Sequence, residues 1–498
     1  MIFDIAKKRA DLSPRQPALF WRNRWYSYSE LNERAEALAA SLAAKGIKKG
    51  DRVSILAFNH VAHLDLILAT AKLGFIYTPF NYRLSKAEQE HMAAYLEPSL
   101  CFFDSHAAAT IPQSLERIAL EDYEDWLEPP GNVPDPGLSP EDIQMILPTG
   151  GTTGLPKGAM QPYRQGFYNA VNTVLSWGLE QSDCTIQSTP CFHASVNAFV
   201  VPLFHLGARV VLQESFSPSS YLRLVETHRA TLLFLVPTMY KMLTDEPGFS
   251  TSDFSSVRWA ISGGAPCPEP VREAFAQKKV AFKQGYGLTE AGVNCFTIAL
   301  EEAEARPDSV GKPVLYTEAC LKDEAGSTLR QGEIGELCLK GEHIFTGYYQ
   351  REEATRAVLR DGWLATGDLA RQDEEGFYYI VGRKKDMFIS GGENIYPIEI
   401  ENLLYDHEAV SECSVLGIPD EHWGEVGLAC IVLKPEASTS SEALKSYLSD
   451  HLARYKVPKH FVFHTFLPKS GTGKILKTAL KDAFLAEPQA NAQIHPET

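Results

Sequence analysis

Residues 148–158 read Pro148-Thr149-Gly150-Gly151-Thr152-Thr153-Gly154-Leu155-Pro156-Lys157-Gly158. The glycines let the backbone bend with its N–H groups pointing inward, the threonines add hydroxyl donors, and the lysine adds positive charge. A stretch of this kind can wrap a polyphosphate. It is not a Walker loop, because Lys157 stands between Pro156 and Gly158. A surface loop is the ordinary interpretation of a lone Gly/Thr run, but the Pro-Lys-Gly ending favours phosphate binding.

The segments before this loop alternate between helix and strand. Hydrophobic spacing predicts a helix over 27–48, which Ser29 can cap, and another over 60–73. Short apolar strands are predicted over 52–56 and 75–79. Such alternation is typical of parallel sheets covered by helices.

The pattern of predicted strands and turns changes in the second half of the chain. Buried strands are predicted at 208–212 and 231–236, and short strands with glycine turns from about residue 310 indicate a small β subdomain. Beyond residue 385 a compact α+β pattern follows, with helices at 397–406 and 441–454 and strands at 410–418, 426–434 and near 461. We therefore expect an α/β protein with a large N-terminal domain over 1–384 and a small C-terminal domain over 385–498.

Composition excludes several classes of function. The 498 residues carry a formal net charge of −16, and the basic clusters are as short as Arg383-Lys384-Lys385, so we expect no nucleic-acid partner. No stretch has the length of a signal peptide core or a membrane span. The nine cysteines form no C-x-x-C pair, which suits reduced thiols and a cytoplasmic location.

The glycine-rich loop resembles the signature loop of the AMP-forming acyl-adenylate (ANL) superfamily, whose usual form is [ST]-[SG]-G-[ST]-T-G-x-P-K-G. Further motifs match that family in order, and the resemblance extends from about residue 10 to about residue 480. Two departures are minor: Gly150 stands where serine is commoner, and Val293 follows Gly292 where proline is frequent, which puts the local shape of the acid pocket in doubt. The similarity is to the branch of acyl-CoA synthetases, fatty-acid–CoA ligases and 4-coumarate–CoA ligases.

The resemblance implies roles for motifs in the N-terminal domain. Pro190-Cys191-Phe192-His193 resembles the aromatic–histidine element at the edge of the acid pocket, and His193 alone would be read as an ordinary core histidine. Ser262-Gly263-Gly264-Ala265-Pro266 resembles the loop on which adenine lies. In Gln284-Gly285-Tyr286-Gly287-Leu288-Thr289-Glu290, the tyrosine would stack on adenine, Thr289 would donate to the α-phosphate, and Glu290 would bind magnesium.

The resemblance also implies roles near the predicted domain boundary and beyond it. Asp368 would accept hydrogen bonds from both ribose hydroxyls, and Arg383 would contact the ribose or phosphate. Lys385 lies where the family has its hinge, about which the small domain rotates between half-reactions. Gly391 and Gly392 would let the pantetheine arm of coenzyme A pass. Lys474 would be the adenylation lysine, because the family places it after a Thr-Gly pair, which Lys469 does not follow.

Taken together, these motifs predict an ATP-dependent acid–CoA ligase. The carboxylic acid would form acyl-AMP and pyrophosphate, and coenzyme A would then take the acyl group and release AMP. The expected catalytic residues are Lys474, Thr289, Glu290 and His193. The residues expected to bind ATP and coenzyme A are Thr149, Gly150, Gly151, Thr152, Thr153, Gly154, Lys157, Gly264, Ala265, Pro266, Gln284, Gly285, Tyr286, Gly287, Thr289, Asp368, Arg383, Lys385, Gly391, Gly392 and Lys474.

The acid itself is less well determined. The residues expected beside it are mainly apolar and lack an aspartate that could hold an amino group, which argues against amino acids; they are His193, Val196, Asn197, Val236, Tyr240 and Gly287. We expect a medium- or long-chain fatty acid, with an aryl acid of the cinnamate or benzoate type as the alternative. A stand-alone adenylating enzyme, a luciferase-like oxidase and a non-catalytic nucleotide-binding regulator are further alternatives. ATP, Mg²⁺ and coenzyme A are the expected small molecules, and a homodimer is the assembly considered.

Overall fold

The computed structural model describes residues 3–107, 110–112, 115–131, 133–149, 156–469 and 475–486. The chain forms two compact units. The large unit comprises Met1–Cys267, Val271–Ala319 and Cys338–Ala365, and the small unit comprises Pro268–Pro270, Cys320–Leu337 and Thr366–Thr498. The expected α/β class, with a large N-terminal domain of parallel sheets and a small C-terminal domain, is confirmed.

The α-helices of the described residues, in chain order, are α1 (Ile5–Leu12), α2 (Tyr28–Ala44), α3 (Val61–Leu73), α4 (Lys86–Leu96), α5 (Tyr123–Trp126), α6 (Tyr163–Trp177), α7 (Val200–Leu206), α8 (Pro218–His228), α9 (Pro237–Thr244), α10 (Glu269–Gln277), α11 (Leu300–Ala305), α12 (Glu352–Val358), α13 (Pro397–Asp406), α14 (Ser441–His451) and α15 (Lys477–Ala486). Short 3₁₀ turns at Ala194–Asn197 and Thr289–Ala291 lie in the site described below.

The strands, in chain order, are β1 (Pro17–Trp21), β2 (Arg24–Ser27), β3 (Arg52–Leu56), β4 (Ile76–Pro79), β5 (Leu100–Phe103), β6 (Arg117–Ala119), β7 (Ile143–Thr149), β8 (Lys157–Pro162), β9 (Cys184–Gln187), β10 (Arg209–Leu212), β11 (Leu232–Leu235), β12 (Trp259–Ser262), β13 (Ala281–Gln284), β14 (Phe296–Thr297), β15 (Lys312–Pro313), β16 (Glu318–Lys322), β17 (Ile334–Lys340), β18 (Gly347–Tyr348), β19 (Leu359–Arg360), β20 (Trp363–Gln372), β21 (Tyr378–Arg383), β22 (Phe388–Ser390), β23 (Glu393–Ile395), β24 (Val410–Asp420), β25 (Gly424–Leu433) and β26 (His460–Phe463).

Two seven-stranded sheets form the large unit. The first has the order β13-β12-β11-β9-β10-β1-β2 and is parallel except for the β1–β2 pair. The second has the order β18-β8-β7-β4-β3-β5-β6, in which β18, β8 and β7 are paired antiparallel and the others parallel. The glycine-rich loop thus connects β7 and β8, whose ends meet at the Thr149–Lys157 pair.

The small unit contains a mainly antiparallel sheet in the order β23-β22-β25-β24, to which β26 adds in parallel beside β25. Its apolar face packs against α13 and α14, with Ile400, Leu404 and Leu444 fully buried. Strands β16, β17, β19, β20 and β21 belong to a further sheet, in which β20 pairs with β21.

Most of the elements predicted from hydrophobic spacing are present. Strand β3 and helix α13 have the predicted bounds. The predicted cap of α2 is wrong, because Ser27 and not Ser29 caps this helix. Ser27 Oγ accepts from the Glu30 N–H, and Glu30 accepts in return from the Ser27 N–H, so the two residues form a capping box at the start of the helix. The helix ends at Ala44, four residues before the predicted end.

Two further properties concern the cysteines and the described helices. Eight of the nine cysteines are buried, and Cys320 is half-buried. None of the described helices combines the length and the apolar character that crossing a bilayer requires.

Candidate functional site

The carboxyl ends of β12 and β13 place two predicted motifs side by side. These neighbouring parallel strands pair Ser262 with Gln284, so the chain leaves both at the same edge of the sheet. The Gly285 N–H donates to the Ser262 carbonyl at 2.7 Å, and a Cβ on Gly285 would lie 3.0 Å from that oxygen. The predicted adenine loop and the Gln284–Glu290 motif are therefore in contact, and a side chain at 285 would crowd this approach.

The loop after β12 is exposed at the predicted adenine position. Gly264, Ala265 and Pro266 are all exposed, and Gly264 has φ +86°. Gln284 is buried, and its side-chain oxygen accepts from the Cys267 N–H at 3.3 Å, which holds the end of this loop. The loop therefore exposes its backbone and the small side chains of Ala265 and Pro266 to solvent, and the hydrogen bond from Cys267 to Gln284 fixes its end.

Tyr286 is held by two neighbouring residues of a later segment, Cys295 and Phe296. Its ring meets Phe296 edge to face with centroids 5.6 Å apart, and its carbonyl accepts from the Cys295 N–H at 3.1 Å. Beyond it, a Cβ on Gly287 would lie 2.0 Å from the Val293 carbonyl oxygen, so glycine is required there. Val293 itself adopts φ +66°, which is strained for a β-branched residue.

Buried amide side chains fix the Thr289–Ala291 turn. Gln161 Nε2 and Gln165 Nε2 each donate to the Thr289 carbonyl at 2.9 Å. Asn197 Nδ2 donates to Gln161 Oε1 at 3.0 Å, and Asn169 Nδ2 donates to the Asn197 carbonyl at 2.7 Å. The network joins this turn to the turn after His193. Sequence reasoning missed it, although amides four residues apart at 161, 165 and 169, spanning the end of β8 and the start of α6, were the available signal.

Glu290 and Lys157 meet at one aromatic ring. Tyr348 donates its hydroxyl hydrogen to Glu290 Oε1 at 2.8 Å, and Lys157 Nζ lies 4.9 Å from the Tyr348 ring centroid. Thr149 Oγ1 donates to the Lys157 carbonyl at 3.3 Å, which closes the base of the glycine-rich loop. Gly150, Gly151, Thr152, Thr153 and Gly154 lie outside the described residues. The structure therefore brings Lys157, which follows the loop, to the same ring as the predicted metal ligand.

The predicted acid side is built from the turn after β9. His193 is half-buried, its N–H donates to the Pro190 carbonyl at 3.0 Å, and the Ala194–Asn197 turn follows it directly. Val196 and Asn197 are buried. Tyr240, which was expected beside the acid, is fully buried in a separate core, and its hydroxyl lies 3.1 Å from the carbonyls of two strands.

An aromatic cluster that sequence reasoning missed lies next to this turn. The Phe199 ring contacts the rings of Trp177, Phe234 and Trp259, with centroid distances of 5.6, 6.0 and 5.7 Å. A Cβ on Gly263 would lie 3.0 Å from the Phe234 ring, so the cluster reaches the loop after β12. Phe199 follows the Ala194–Asn197 turn by two residues, so the cluster lies beside residues that were expected to border the acid.

In the small unit, Asp368 and Arg383 form an ion pair. They face each other across β20 and β21, and Arg383 Nε lies 3.0 Å from Asp368 Oδ1. Asp368 is buried, whereas Arg383 is exposed. An open cavity of about 350 Å³ lies beside this pair, lined by Thr366, Gly367, Arg383, Lys384 and Lys385. A carboxylate and several cations at one cavity suit a polar ligand that carries both hydroxyl and phosphate groups.

The β22–β23 hairpin carries the predicted coenzyme A glycines. Gly391 and Gly392 have φ values of +60° and +88°. The Gly391 N–H donates to the Trp423 carbonyl at 2.9 Å, and Lys459 Nζ lies 5.2 Å from the Trp423 ring centroid. Lys474 lies outside the described residues. The rejected alternative, Lys469, forms an ion pair with Glu412 at 2.6 Å.

The donor set fits a magnesium ion bound together with a substrate. Among the described residues, no group of three or more His, Cys, Asp or Glu side chains could hold a metal by itself. Glu290 offers a half-buried carboxylate, and it shares the Tyr348 contact with Lys157 of the glycine-rich loop. Mg²⁺ is commonly held by one or two carboxylates together with phosphate oxygens, and Glu290 suits that arrangement.

Comparisons with known proteins agree with this geometry. The family model described as AMP-binding enzyme matches residues 6–349, and the model of the AMP-binding enzyme C-terminal domain matches residues 399–474. The chain is 36% identical over 482 residues to a feruloyl-CoA synthase from an Amycolatopsis species, covering 96% of this chain and 98% of the relative. It is 32% identical over 507 residues to a long-chain-fatty-acid–CoA ligase from Mycobacterium tuberculosis, covering 97% and 98%.

Solved structures show the same architecture. The o-succinylbenzoate CoA synthetase of Bacillus subtilis, in complex with the acyl-adenylate intermediate OSB-AMP, matches with a TM-score of 0.89 and 30% identity, covering 96% of this chain and 98% of that chain. The same synthetase in complex with ATP and a magnesium ion matches with a TM-score of 0.86 and 30% identity, covering 96% and 99%.

Proposed function

The chain belongs to the AMP-binding enzyme family and is an AMP-forming acid–CoA ligase, and we propose that its acid substrate is an aromatic carboxylic acid. The observation that carries the proposal is the extensive similarity to a feruloyl-CoA synthase, since ferulate is an aromatic acid. The Bacillus synthetase, whose named substrate is also aromatic, supports it.

The aromatic cluster supports the same choice. Phe199 is buried among three other rings directly after the turn that follows His193, and Phe234 contacts the loop after β12. Rings at the end of a pocket shorten it and offer edge-to-face contacts to an aromatic substrate. A flat acid of one ring would fit such a pocket better than a long alkyl chain.

A fatty acid, the substrate expected from the sequence, is the second candidate. The similarity to the mycobacterial ligase of long-chain fatty acids favours it. The apolar side chains of Val196 and Val236 would suit an alkyl chain as well as a ring.

The negative charges of the carboxylate and of ATP determine what the site must do in the adenylation step. A carboxylate oxygen attacks the α-phosphorus of ATP, the bond to the β-phosphate bridge breaks, and acyl-AMP and pyrophosphate form. Two anions meet in this step, so the site must offset their repulsion. We assign that role to Lys157, the N–H groups and hydroxyls of residues 149–154, Thr289 and Lys474. One preorganised donor of this kind contributes about 3–4 kcal/mol to the transition state.

Glu290 would hold magnesium together with the phosphate oxygens, and the bound ion would supply further positive charge there. In the second step the thiol of coenzyme A attacks the acyl carbon, and AMP leaves. We assign the ribose hydroxyls to Asp368 and the pantetheine arm to the Gly391–Gly392 hairpin. His193 would border the acid, and Gly264, Ala265, Pro266 and Tyr286 would hold the adenine.

A matched panel of acids tests the proposal. Pyrophosphate release is measured with benzoate against cyclohexanecarboxylate, and with cinnamate against nonanoate, so that each pair has similar size but differs in aromaticity. We expect kcat/KM to be at least about tenfold higher for the aromatic member of at least one pair. Higher values for nonanoate and longer alkyl acids would instead establish the fatty-acid alternative.

The same assay separates the ligase from other adenylating enzymes. It is run with and without coenzyme A, and acyl-CoA and AMP are quantified by chromatography. A ligase turns over repeatedly only with the thiol, since the adenylate otherwise stays bound. Equal AMP release without coenzyme A would identify a stand-alone adenylating enzyme.

A further inference from the structure

Tyr348 contacts two charged groups that the adenylation step uses. Its hydroxyl donates to Glu290 Oε1 at 2.8 Å, and Lys157 Nζ lies over its ring, 4.9 Å from the centroid. Glu290 is the proposed magnesium ligand, and Lys157 lies near the carboxyl end of the glycine-rich loop. None of the sequence motifs assigned above includes Tyr348, yet this one side chain touches both.

The phenol is held in the state that donates to Glu290. Tyr348 is 9% exposed, and Glu290 Oε1 lies 2.8 Å from its hydroxyl oxygen. A carboxylate oxygen can only accept, so the phenol is the donor in this bond. Because Glu290 Oε1 accepts this hydrogen, the orientation of the whole carboxylate, including Oε2, is set by the tyrosine.

The backbones of both residues are fixed by other bonds. The Phe345 N–H donates to the Glu290 carbonyl at 2.9 Å, and the Tyr348 N–H donates to Thr355 Oγ1 at 2.8 Å. Tyr348 also pairs with Ala159 across β18 and β8. Loss of the hydroxyl would thus release the Glu290 carboxylate without releasing the turn that carries it.

We propose that Tyr348 is a positioning residue of the adenylation step, which orients the Glu290 carboxylate for magnesium and holds Lys157 beside the phosphates. The inference rests on the adenylation chemistry proposed above, but it does not depend on which acid is used. A bond from a neutral hydroxyl orients a carboxylate without neutralising it, so the negative charge stays available to the cation. The ring face, in turn, favours an ammonium group without consuming its hydrogen-bond donors.

Two substitutions separate the two contacts. Tyr348→Phe removes the hydroxyl and keeps the ring under Lys157, whereas Tyr348→Leu removes both. Tyr349→Phe is the matched control, because it removes a hydroxyl at the next position and leaves the Tyr348–Glu290 bond intact. Thermal unfolding of each variant verifies that it is folded before binding is measured.

ATP binding is measured by calorimetry without any acid, once with magnesium and once with a chelator. For Tyr348→Phe we expect affinity to fall about tenfold with magnesium and to stay within about twofold without it, because one hydrogen bond to a charged group is lost. For Tyr348→Leu we expect weaker binding under both conditions. Because no acid is added, this measurement stands even if the proposed aromatic substrate is wrong.

Turnover provides a second readout. With an acid that the wild type uses, Tyr348→Phe should raise the magnesium concentration for half-maximal pyrophosphate release by about tenfold. Thioester formation from supplied acyl-adenylate should not change. The proposal is overturned if Tyr348→Phe matches the wild type in both assays, if Tyr349→Phe shows an equal loss, or if the loss with the chelator equals the loss with magnesium.

Discussion

His343 is a neutral imidazole that supports the Thr289–Ala291 turn from beneath. Its Nδ1 lies 2.9 Å from the Ala291 carbonyl and its Nε2 lies 2.5 Å from Thr317 Oγ1. A carbonyl can only accept, so Nδ1 carries the hydrogen and Nε2 accepts from the threonine hydroxyl. Burial lowers the pKa of His343 to about 4, the hydrogen bond to Ala291 opposes this shift, and Arg164 adds to it.

The lowered pKa of His343 predicts that the folded protein loses stability in acid. Because the folded-state pKa of about 4 lies below the ordinary value of 6.5, the unfolded chain binds a proton that the folded chain does not. Stability is therefore lost as the pH falls from 6.5 towards 4. We expect His343 to contribute about 2 kcal/mol to the difference in unfolding free energy between pH 7.5 and pH 5. Urea unfolding followed by tryptophan fluorescence measures it.

His343→Gln is the matched variant, because an amide can donate to Ala291 and accept from Thr317 without titrating in this range. It should flatten the pH dependence by that amount while leaving stability at pH 7.5 close to that of the wild type. An unchanged pH dependence in this variant would show that other buried histidines dominate the acid response.

At the scale of single residues, motif residues were predictable and their supports were not. The roles of Glu290 and Asp368 were proposed because these residues lie in strings with a recognisable order, and they stay predictions. Tyr348 contacts Glu290 and His343 contacts Ala291, each more than fifty positions away, and no local pattern encodes such a contact. Gly287 was expected only as part of its motif, whereas the structure shows that glycine is needed there, because a Cβ would lie 2.0 Å from the Val293 carbonyl oxygen.

The geometry of the β22–β23 hairpin is constrained by an aromatic neighbour. A Cβ on Gly391 would lie 2.7 Å from the Trp423 ring, whereas a Cβ on Gly392 would meet nothing within 4 Å. Both glycines have positive φ, so an alanine is strained at either position, and only the contact with Trp423 distinguishes them.

This difference predicts the effect of Gly391→Ala. We expect thioester formation from supplied acyl-adenylate to fall by about tenfold, because the hairpin or the tryptophan must move; adenylation should stay within about threefold of the wild type. Single-turnover assays of the two half-reactions measure both rates. Gly392→Ala is the control and should have a clearly smaller effect; an equal effect in both variants would show that backbone strain, and not Trp423, is responsible.

At the scale of elements, periodicity was a good guide to strands and helices and a poor one to their ends. Helix α13 and strand β3 were predicted with their observed bounds because apolar spacing and turn residues coincide there. The cap of α2 was assigned to the wrong serine because Ser27 and Ser29 are both acceptable caps in isolation, and only the reciprocal bond with Glu30 decides between them.

At the scale of the molecule, the existence of a large and a small unit was predictable, because the pattern of predicted helices and strands changes along the chain. The large unit was expected to end at residue 384, and this boundary stays a prediction. The compact small unit includes Thr366–Thr498 and also Cys320–Leu337. Local composition does not show that a segment from an earlier part of the chain packs with a later one. Sequence reasoning therefore assigned residues 320–337 to the large N-terminal domain.

Lys474 provides the test of the two-step scheme for the whole molecule. By family resemblance the small domain rotates about Lys385, so that Lys474 serves adenylation and the Gly391–Gly392 hairpin serves thioester formation. We expect Lys474→Ala to lower adenylation by at least about a hundredfold and to spare thioester formation from supplied acyl-adenylate. Pyrophosphate release and acyl-CoA formation measure the two steps.

Lys469→Ala is the control for Lys474→Ala, since its ammonium group is already paired with Glu412 and should not be needed in either step. Equal loss of both half-reactions in Lys474→Ala would reject the assignment of this lysine to the first step alone.

The burial of the protein's own sulfhydryl groups decides how its reaction can be followed. Burial raises the pKa of Cys184 to about 11 and that of Cys267 and Cys430 to about 12, so these side chains stay protonated and shielded from reagents. Free coenzyme A carries an accessible sulfhydryl. A chromogenic disulfide dye added to the native enzyme should therefore count the coenzyme that remains, with only Cys320 close enough to the surface to contribute a background.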